Sequence, residues 1–387
     1  MQHKQNQTFS VKFLVGILTL GVFGIINTEM GIVGIIPLIA ERFGVDVPTA
    51  GWTVSVFALV VAVSAPTLPL LFSGFDRKRM MLVALGLFTA SNLMSMFAED
   101  FFWLLVARIL PALFHPVYVS MAFTVAAQSV DLKEAPRAVA KVFVGVSAGM
   151  VLGVPVTSFI ASHVSYEAAM LVFTLVNATA FVLTLWQVPS MPAKTIPLGH
   201  QLSVLKRKTL WYSILSTILI NGALFGFFSF MAEYLQRITL LSYDGISALL
   251  LVYGLASTLG ASLGGLFLAK KAATTMLATP VVLIVGYASL YVLGSSFMAV
   301  AGLIFFLGVL SGVASNTMQY MIAGSAAEAP DFANGLFLAS ANLGTTLGTA
   351  LCGAFISYTN VHASVLGSLL MLGLSLLFVR LRWASER

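Results

Sequence analysis

Residues 11–40 read VKFLVGILTLGVFGIINTEMGIVGIIPLIA. The charges nearest to Glu29 are Lys12 on one side and Glu41 on the other. A helix needs about 20 apolar residues to cross the hydrocarbon core of a bilayer, so this run reads as a membrane span with an acid buried in it. The segment before it, MQHKQNQTFS, is short and polar, and no A-x-A-like site follows, so a first span is expected rather than a cleavable signal. The rest of the chain has the same character. Of its 387 residues 59% are apolar and 9% charged, against about a quarter charged in a typical soluble domain. So few charges cannot cover a water-facing surface, and the solvent for most of the chain is lipid. A single cysteine, Cys352, excludes a disulfide framework and a multi-cysteine zinc site. No metal or other cofactor is expected.

Broken at charges, prolines and glycine clusters, the sequence divides into twelve apolar runs: 11–40, 50–73, 80–98, 101–129, 138–161, 167–187, 209–235, 245–269, 275–294, 297–323, 333–357 and 361–380. Lysine and arginine set the orientation. With both termini on the cytoplasmic side, the inner segments hold seventeen of the twenty basic residues, among them Arg77, Lys78, Arg79, Lys133, Arg137, Lys194, Lys206, Arg207, Lys208, Lys270 and Lys271. The outer segments hold only Arg42 and Arg237, and Arg108 lies inside a span. The inner loop near Glu328 and Asp331 is the one without a basic residue. The net charge of +6 is then the cytoplasmic face of a plasma-membrane protein, not a nucleic-acid footprint. The triplet Lys206-Arg207-Lys208 fits that topological role, with a lipid or partner site as the alternative. All five tryptophans fall near span ends, where indoles favour the headgroup zone.

The longest polar connection, 188–208, carries Pro189, Pro192 and Pro197 and divides the spans six and six. Domains are therefore expected at 1–187 and 209–387, each a six-helix bundle, joined by a cytoplasmic linker. The fifth span carries Gly145, Gly149 and Gly153 at intervals of four; the eleventh carries Gly344 and Gly348 at that interval, then Gly353. Small residues four apart let two helix backbones approach closely, and their recurrence at matching places suggests a duplicated unit, a transporter architecture.

An ionised carboxylate in hydrocarbon needs a partner, water or a proton. Glu29 lies 12 residues inward of Glu41, roughly 18 Å, and Arg108 lies 8 residues inward of Asp100, roughly 12 Å. The two are expected to meet if the first and fourth spans adjoin, either as a static pair or as part of an ion path. His115 follows Arg108 by seven residues on the same helix face, as a titrating relay or a neutral packing group. In the seventh span, Glu233 is crowded by Phe225, Phe228 and Phe230. That set suits a lipophilic cation, or else an interfacial acid among lipid-facing rings. Asn316 and Gln319, one turn apart in the tenth span, are candidates to hydrogen-bond a substrate or another helix.

These residues resemble the Major Facilitator Superfamily, and within it the twelve-helix drug:proton antiporter branch, near the sugar-and-drug efflux permeases related to the arabinose efflux protein. The resemblance rests on NTEMG (27–31), RILPALFH (108–115), VLGVP (151–155), FSFMAEYL (228–235) and NLGTTLG (342–348), which span both halves. It implies two six-helix bundles about a central cavity with alternating access. It implies that Arg108 matches the family's span-4 arginine, associated with proton coupling. It implies that Glu29 matches the span-1 acid, that Asn27 lies among the substrate contacts, and that GMVLGVP (149–155), with Gly149, Gly153 and Pro155, matches the antiporter element of span 5. Two departures are visible. The loop after span 2 has Pro69, Ser73 and Asp76 where the pattern G-x-L-x-D-R-x-G-R has Gly, Asp and Gly, although Arg77, Lys78 and Arg79 keep its basic end. Glu233 also stands where many relatives have proline.

The expected function is proton-driven export of small amphipathic molecules by a monomer in the bacterial inner membrane. Glu29 would be the coupling acid, with hydrocarbon favouring its protonated form and a nearby guanidinium its ionised form. An importer on the same scaffold is the alternative. A membrane-embedded enzyme using His115 with Glu29 is remote, because no G-x-S-x-G, H-E-x-x-H or paired Asp motif is present near the spans.

Overall fold

The computed structural model describes residues 2–72, 74–131, 134–191, 201–326 and 330–385. Ser73, Lys133, Pro192, Lys194, Pro197 and Glu328 lie outside them, and so does the middle of the connection expected at 188–208. Among the described residues every regular element is helical. Eleven helical stretches are long and apolar enough to cross a membrane.

The chain runs through α1 (Gln2–Gly31), a 3₁₀ turn (Ile32–Ile35), α2 (Ile36–Phe43), α3 (Val47–Ala50), α4 (Trp52–Ser64), α5 (Leu68–Leu71), α6 (Arg77–Met96), α7 (Phe101–Gln128), α8 (Ala135–His163) and α9 (Tyr166–Gln187). The second part comprises α10 (Lys208–Arg237), α11 (Tyr243–Leu293), α12 (Phe297–Ser325), α13 (Pro330–Tyr358) and α14 (Ser364–Ser385). Short polar side chains start several of these helices by accepting the backbone N–H three residues on: Asp76 for α6, Asp100 for α7, Ser165 for α9 and Ser242 for α11. Trp52, Trp103, Trp186 and Trp211 are all exposed near helix ends.

Proline sets the interruptions. The run 11–40 reads as one span, but α1 ends at Gly31 and α2 starts with Pro37 in its first turn. Pro37 has no N–H to give the carbonyl four residues back and its ring crowds that carbonyl, so the chain tightens into the 3₁₀ turn between them. The second run, expected to reach 73, leaves its helix at Ser64, where Pro66 and Pro69 follow. Pro116 inside α7 leaves the Ala112 carbonyl without its helical donor, and Ser64 of α4 donates to it at 3.4 Å.

The runs 245–269 and 275–294 form one helical stretch of 51 residues, α11. At about 1.5 Å per residue that is about 76 Å, more than twice the hydrocarbon thickness. The stretch is broken at Lys271, whose φ of −148° and ψ of 68° are not helical.

Two glycine-bearing helices form matching seams. α8 presses Gly145 onto the backbone of Thr19 in α1, with Gly149 against Ile26 and Gly153 against Asn27. α13 presses Gly344 onto the Ile218 carbonyl of α10, and a Cβ on Gly348 would fall 2.0 Å from the Gly222 carbonyl oxygen. The end carrying Arg77–Arg79, Lys206–Lys208 and Lys270-Lys271 is called the basic end below; the end with Glu41, Asp100 and Asp244 is the far end. At the far end one apolar core is continuous from Ile32–Ala40, Val154 and Phe173 to Phe227, Phe230, Leu249 and Leu250. Ser247 of α11 donates to Ser158 of α8 at 3.1 Å, and His163 Nε2 meets Asp244 at 3.0 Å. Toward the basic end further clusters gather, one around Leu14, Phe88 and Val125 and another around Val204, Ile322 and Ala333, and α13 keeps contact with the first half there, with Leu338 packed on the Leu14 cluster and Gly335 beside Ala65 and Pro66. Arg382, counted among the inner charges, is buried there, donating from Nε to Ser213 at 2.8 Å.

Candidate functional site

The break at Gly31 places a helix C-terminus deep in the bundle. The last four carbonyls of a helix lack intrahelical donors and carry partial negative charge. Arg108 of α7 takes up two of them: one terminal nitrogen donates to the Thr28 carbonyl at 2.9 Å and the other to the Glu29 carbonyl at 3.2 Å. Nε donates to the Thr53 carbonyl of α4 at 3.2 Å. The guanidinium also lies over the Phe57 ring, 4.4 Å from its centre. The side chain is 3% exposed, so all its donors face protein.

Arg108 thus reaches Glu29 through the backbone and not through the carboxylate. The carboxylate turns to His115: Oε2 lies 3.0 Å from Nε2, with side-chain exposures of 11% and 5%. The contact is close but is not aligned as a hydrogen bond. Phe57 and Phe88 stand edge-on or tilted to the imidazole, with centres 5.9 and 6.5 Å away.

Residues that the sequence did not single out hold this pair in place. The Thr28 hydroxyl accepts from Asn177 Nδ2 of α9 at 3.0 Å and from Asn92 Nδ2 of α6 at 3.3 Å, and itself donates to the Gly24 carbonyl at 2.9 Å. Three helices, α6, α7 and α9, therefore grip one turn of α1. The signal was present in the sequence as two amides, Asn92 and Asn177, within apolar runs.

The other candidates are dispersed. Asn27 is buried, its side-chain oxygen against Gly153 in the α1–α8 seam. Phe228 stacks on Tyr253 at 4.9 Å, and Phe225 packs against Phe228. Phe230 is 1% exposed and its ring fills the space beside Gly51, in the far-end core. Glu233 pairs with Arg237 one turn on, at 2.7 Å. Asn316 and Gln319 line an open cleft of about 370 Å³ with Gly265, Leu268 and Tyr320, and Asn316 donates to the Ala261 carbonyl. Gly265 lies 18 residues, five turns, from Ser247, hence on the α11 face that meets α8.

At the basic end, Asp76 accepts from the Arg79 N–H at 3.0 Å and from the Ser190 hydroxyl at 2.5 Å, while Arg77 bonds Gln128 at the end of α7. Partial burial opposes the ionised carboxylate. The bonds from Ser190, Arg79 and Met191, with the charge of Arg79, outweigh it and hold Asp76 below the ordinary carboxylate range.

A stack of long apolar helices that turns a carboxylate, an imidazole and a guanidinium inward, away from lipid, has the build of a multi-pass membrane transporter. The chain belongs to the Major Facilitator Superfamily, which it matches over residues 18–330. It is 29% identical over 341 residues to the inner membrane transport protein YdhP of Escherichia coli (strain K12), covering 88% of each chain. It is 27% identical over 348 residues to a chloramphenicol resistance protein of Streptomyces lividans, covering 89% of each. Among solved structures, the nucleoside transporter NupG (D323A mutant) superposes with a TM-score of 0.77 over 97% of this chain and 100% of that one, at 13% identity, which shows the fold. Family membership makes the chain a carrier of small molecules across a membrane, not an enzyme.

Proposed function

We infer that this transporter is a proton-coupled exporter of small amphipathic molecules, of the twelve-helix drug:proton antiporter branch. The observation that carries the reading is the buried contact between Glu29 and His115 at 3.0 Å. A shared proton needs such a pair, and a purely structural acid would be served by the arginine next to it. Arg108 instead holds the helix end from which Glu29 projects. The carboxylate is left free to exchange its proton for substrate.

Taking the break at Lys271 as a cytoplasmic turn gives twelve spans, six in 1–187 and six in 209–387, with the basic end inside by the lysine and arginine bias. The far-end contacts Ser158–Ser247 and His163–Asp244 then close the outer face. Protons arrive from outside when that closure opens and leave inside as the bundles rock. Each proton supplies about 2.3 kcal/mol per 100 mV, and about 1.4 kcal/mol per pH unit. The resistance protein among the relatives supports export of a drug-like molecule.

The test is Glu29→Gln in proteoliposomes. The variant is expected to keep its fold and to exchange substrate across the membrane while losing accumulation driven by a pH step. Accumulation at the wild-type level by Glu29→Gln overturns the assignment. Inverted vesicles decide direction: uptake driven by acidification of their interior is export, and its opposite is import.

A further inference from the structure

Four buried side chains of the first half carry polar atoms without a partner of hydrogen-bond geometry among the described residues: His115 through both ring nitrogens, Tyr118 through its hydroxyl, Asn177 through Oδ1 and Thr184 through its hydroxyl. Tyr118, Asn177 and Thr184 are 0% exposed and His115 is 4%. Their positions follow a line. His115 and Tyr118 are one turn apart on α7, and Asn177 and Thr184 are two turns apart on one face of α9. Both faces turn onto α1. His115 meets Glu29, Asn177 Nδ2 reaches the Gly24 carbonyl at 3.3 Å, and the Tyr118 hydroxyl abuts Gly21, where a Cβ would fall 1.8 Å from it. The Thr184 hydroxyl lies beside that of Tyr118 without forming a bond of normal geometry.

The line also has a direction. Gly21 is eight residues nearer the basic end than Glu29, about 12 Å. Thr184 stands three residues before the last residue of α9 at that end, about 5 Å. In the second half the only buried atoms in this condition among the described residues are the neighbouring hydroxyls of Ser216 and Thr217, with no titratable group among them. Buried polar atoms in native proteins are hydrogen-bonded, by ordered water where protein offers no partner. A row of four beside a proton-holding pair needs water more than chance packing does.

We propose that α1, α7 and α9 enclose a hydrated seam that conducts protons between the Glu29–His115 pair and the basic face, apart from the substrate's route between the two halves. Its ligand is water, and Tyr118 and Thr184 are its relay hydroxyls. The proposal rests on the proton-coupled reading above. The pair gives its proton to the first water. Each hydroxyl takes a proton on its oxygen as it passes its own onward, so one proton leaves for one released and no other bond changes. Gly21 leaves no room for a methyl beside the hydroxyl, which lets the hydroxyl reach the α1 backbone.

Tyr118→Phe tests this, because it removes the hydroxyl and keeps the ring. In a wet seam the variant unfolds at the wild-type temperature or below. Its proton-driven transport falls about fivefold or more, while substrate counterflow at equal pH is unchanged. Thr184→Val is expected to do the same to a lesser degree. In a dry seam the lone hydroxyl is a burden, so Tyr118→Phe raises the melting temperature and leaves transport as it was, which overturns the proposal. Hydroxyl-radical footprinting of the wild type reads hydration without transport: Tyr118 is labelled despite its burial if the seam is wet. An unlabelled Tyr118 in a proton-driven wild type sinks the seam alone. A wild type that no pH step drives sinks the coupling reading, and the seam's role with it.

Discussion

α1 and α10 hold matching places, each pressed against a helix with glycines four residues apart, yet they use their polar groups in opposite ways. In α10, Asn221 donates to the Ala341 carbonyl at 2.5 Å and to the Thr345 hydroxyl at 2.9 Å, and Ser229 meets Thr349 at 3.0 Å. Every one of these bonds runs into α13, across the glycine seam. In α1 the seam with α8 is mostly apolar, and Glu29 turns the other way, to His115 of α7. The second seam spends its polar groups on holding helices together. In the first, the carboxylate stands outside the seam, against the α7 imidazole. One packing plan therefore carries a hydrogen-bonded seam in one half and a candidate site beside the seam in the other, and what separates them is which side of the first helix carries the polar residue.

The comparison can be broken most severely at the glycines. Gly348→Leu is expected to abolish stable folding, since its Cβ alone would meet the Gly222 carbonyl oxygen at 2.0 Å, whereas Gly373→Leu, with open space around it, keeps the melting temperature within a few degrees. Equal loss of monodisperse protein from both variants would show that the close approach is not what matters. Next comes Arg108→Lys. An ammonium cannot span the carbonyls of Thr28, Glu29 and Thr53 at once, so coupled transport is expected to fall on the order of tenfold, the rate effect of about 1.4 kcal/mol. Wild-type transport by this variant would mean the helix end needs only charge.

A smaller effect sharpens the contrast. Asn221→Ala is expected to cost about 1–2 kcal/mol of stability by chemical unfolding, through its lost hydrogen bonds, with the pH dependence of transport unchanged. A shifted pH profile would place the second seam in the proton chemistry after all. The smallest effect belongs to Asp76. Its carboxyl is held below the ordinary range, so its contribution is full above the unfolded value of about 3.9 and is lost as pH falls through the lower folded value. The melting temperature of Asp76→Asn is expected to lie slightly below that of the wild type at pH 7 and to converge with it below about pH 4. A difference that persists into acid would assign the effect to helix capping alone.

Glu29 and Arg108 were legible because charge in an apolar run has no cheap explanation. Their arrangement was not. Depth along two helices said that they could meet, but the guanidinium went to backbone carbonyls, which carry no mark in the sequence. Two of them sit in the last turn of α1, which ends at Gly31, and the third lies in α4. Phe230 shows the same limit from the other side. Beside Glu233 it reads as a substrate contact, while the fold buries it against Gly51, a residue 179 positions away.

By itself the sequence determined the solvent, the helical class, most span positions and the glycine contacts, because hydropathy and small-residue spacing act through neighbours on the same helix. The tertiary structure alone decided that His115 takes the carboxylate, that Asn92 and Asn177 steady Thr28, and that Ser247 of α11 meets Ser158 of α8 at the far end. These outcomes depend on rotation and tilt between helices far apart in the chain, and a few ångströms there choose the partner of a buried charge.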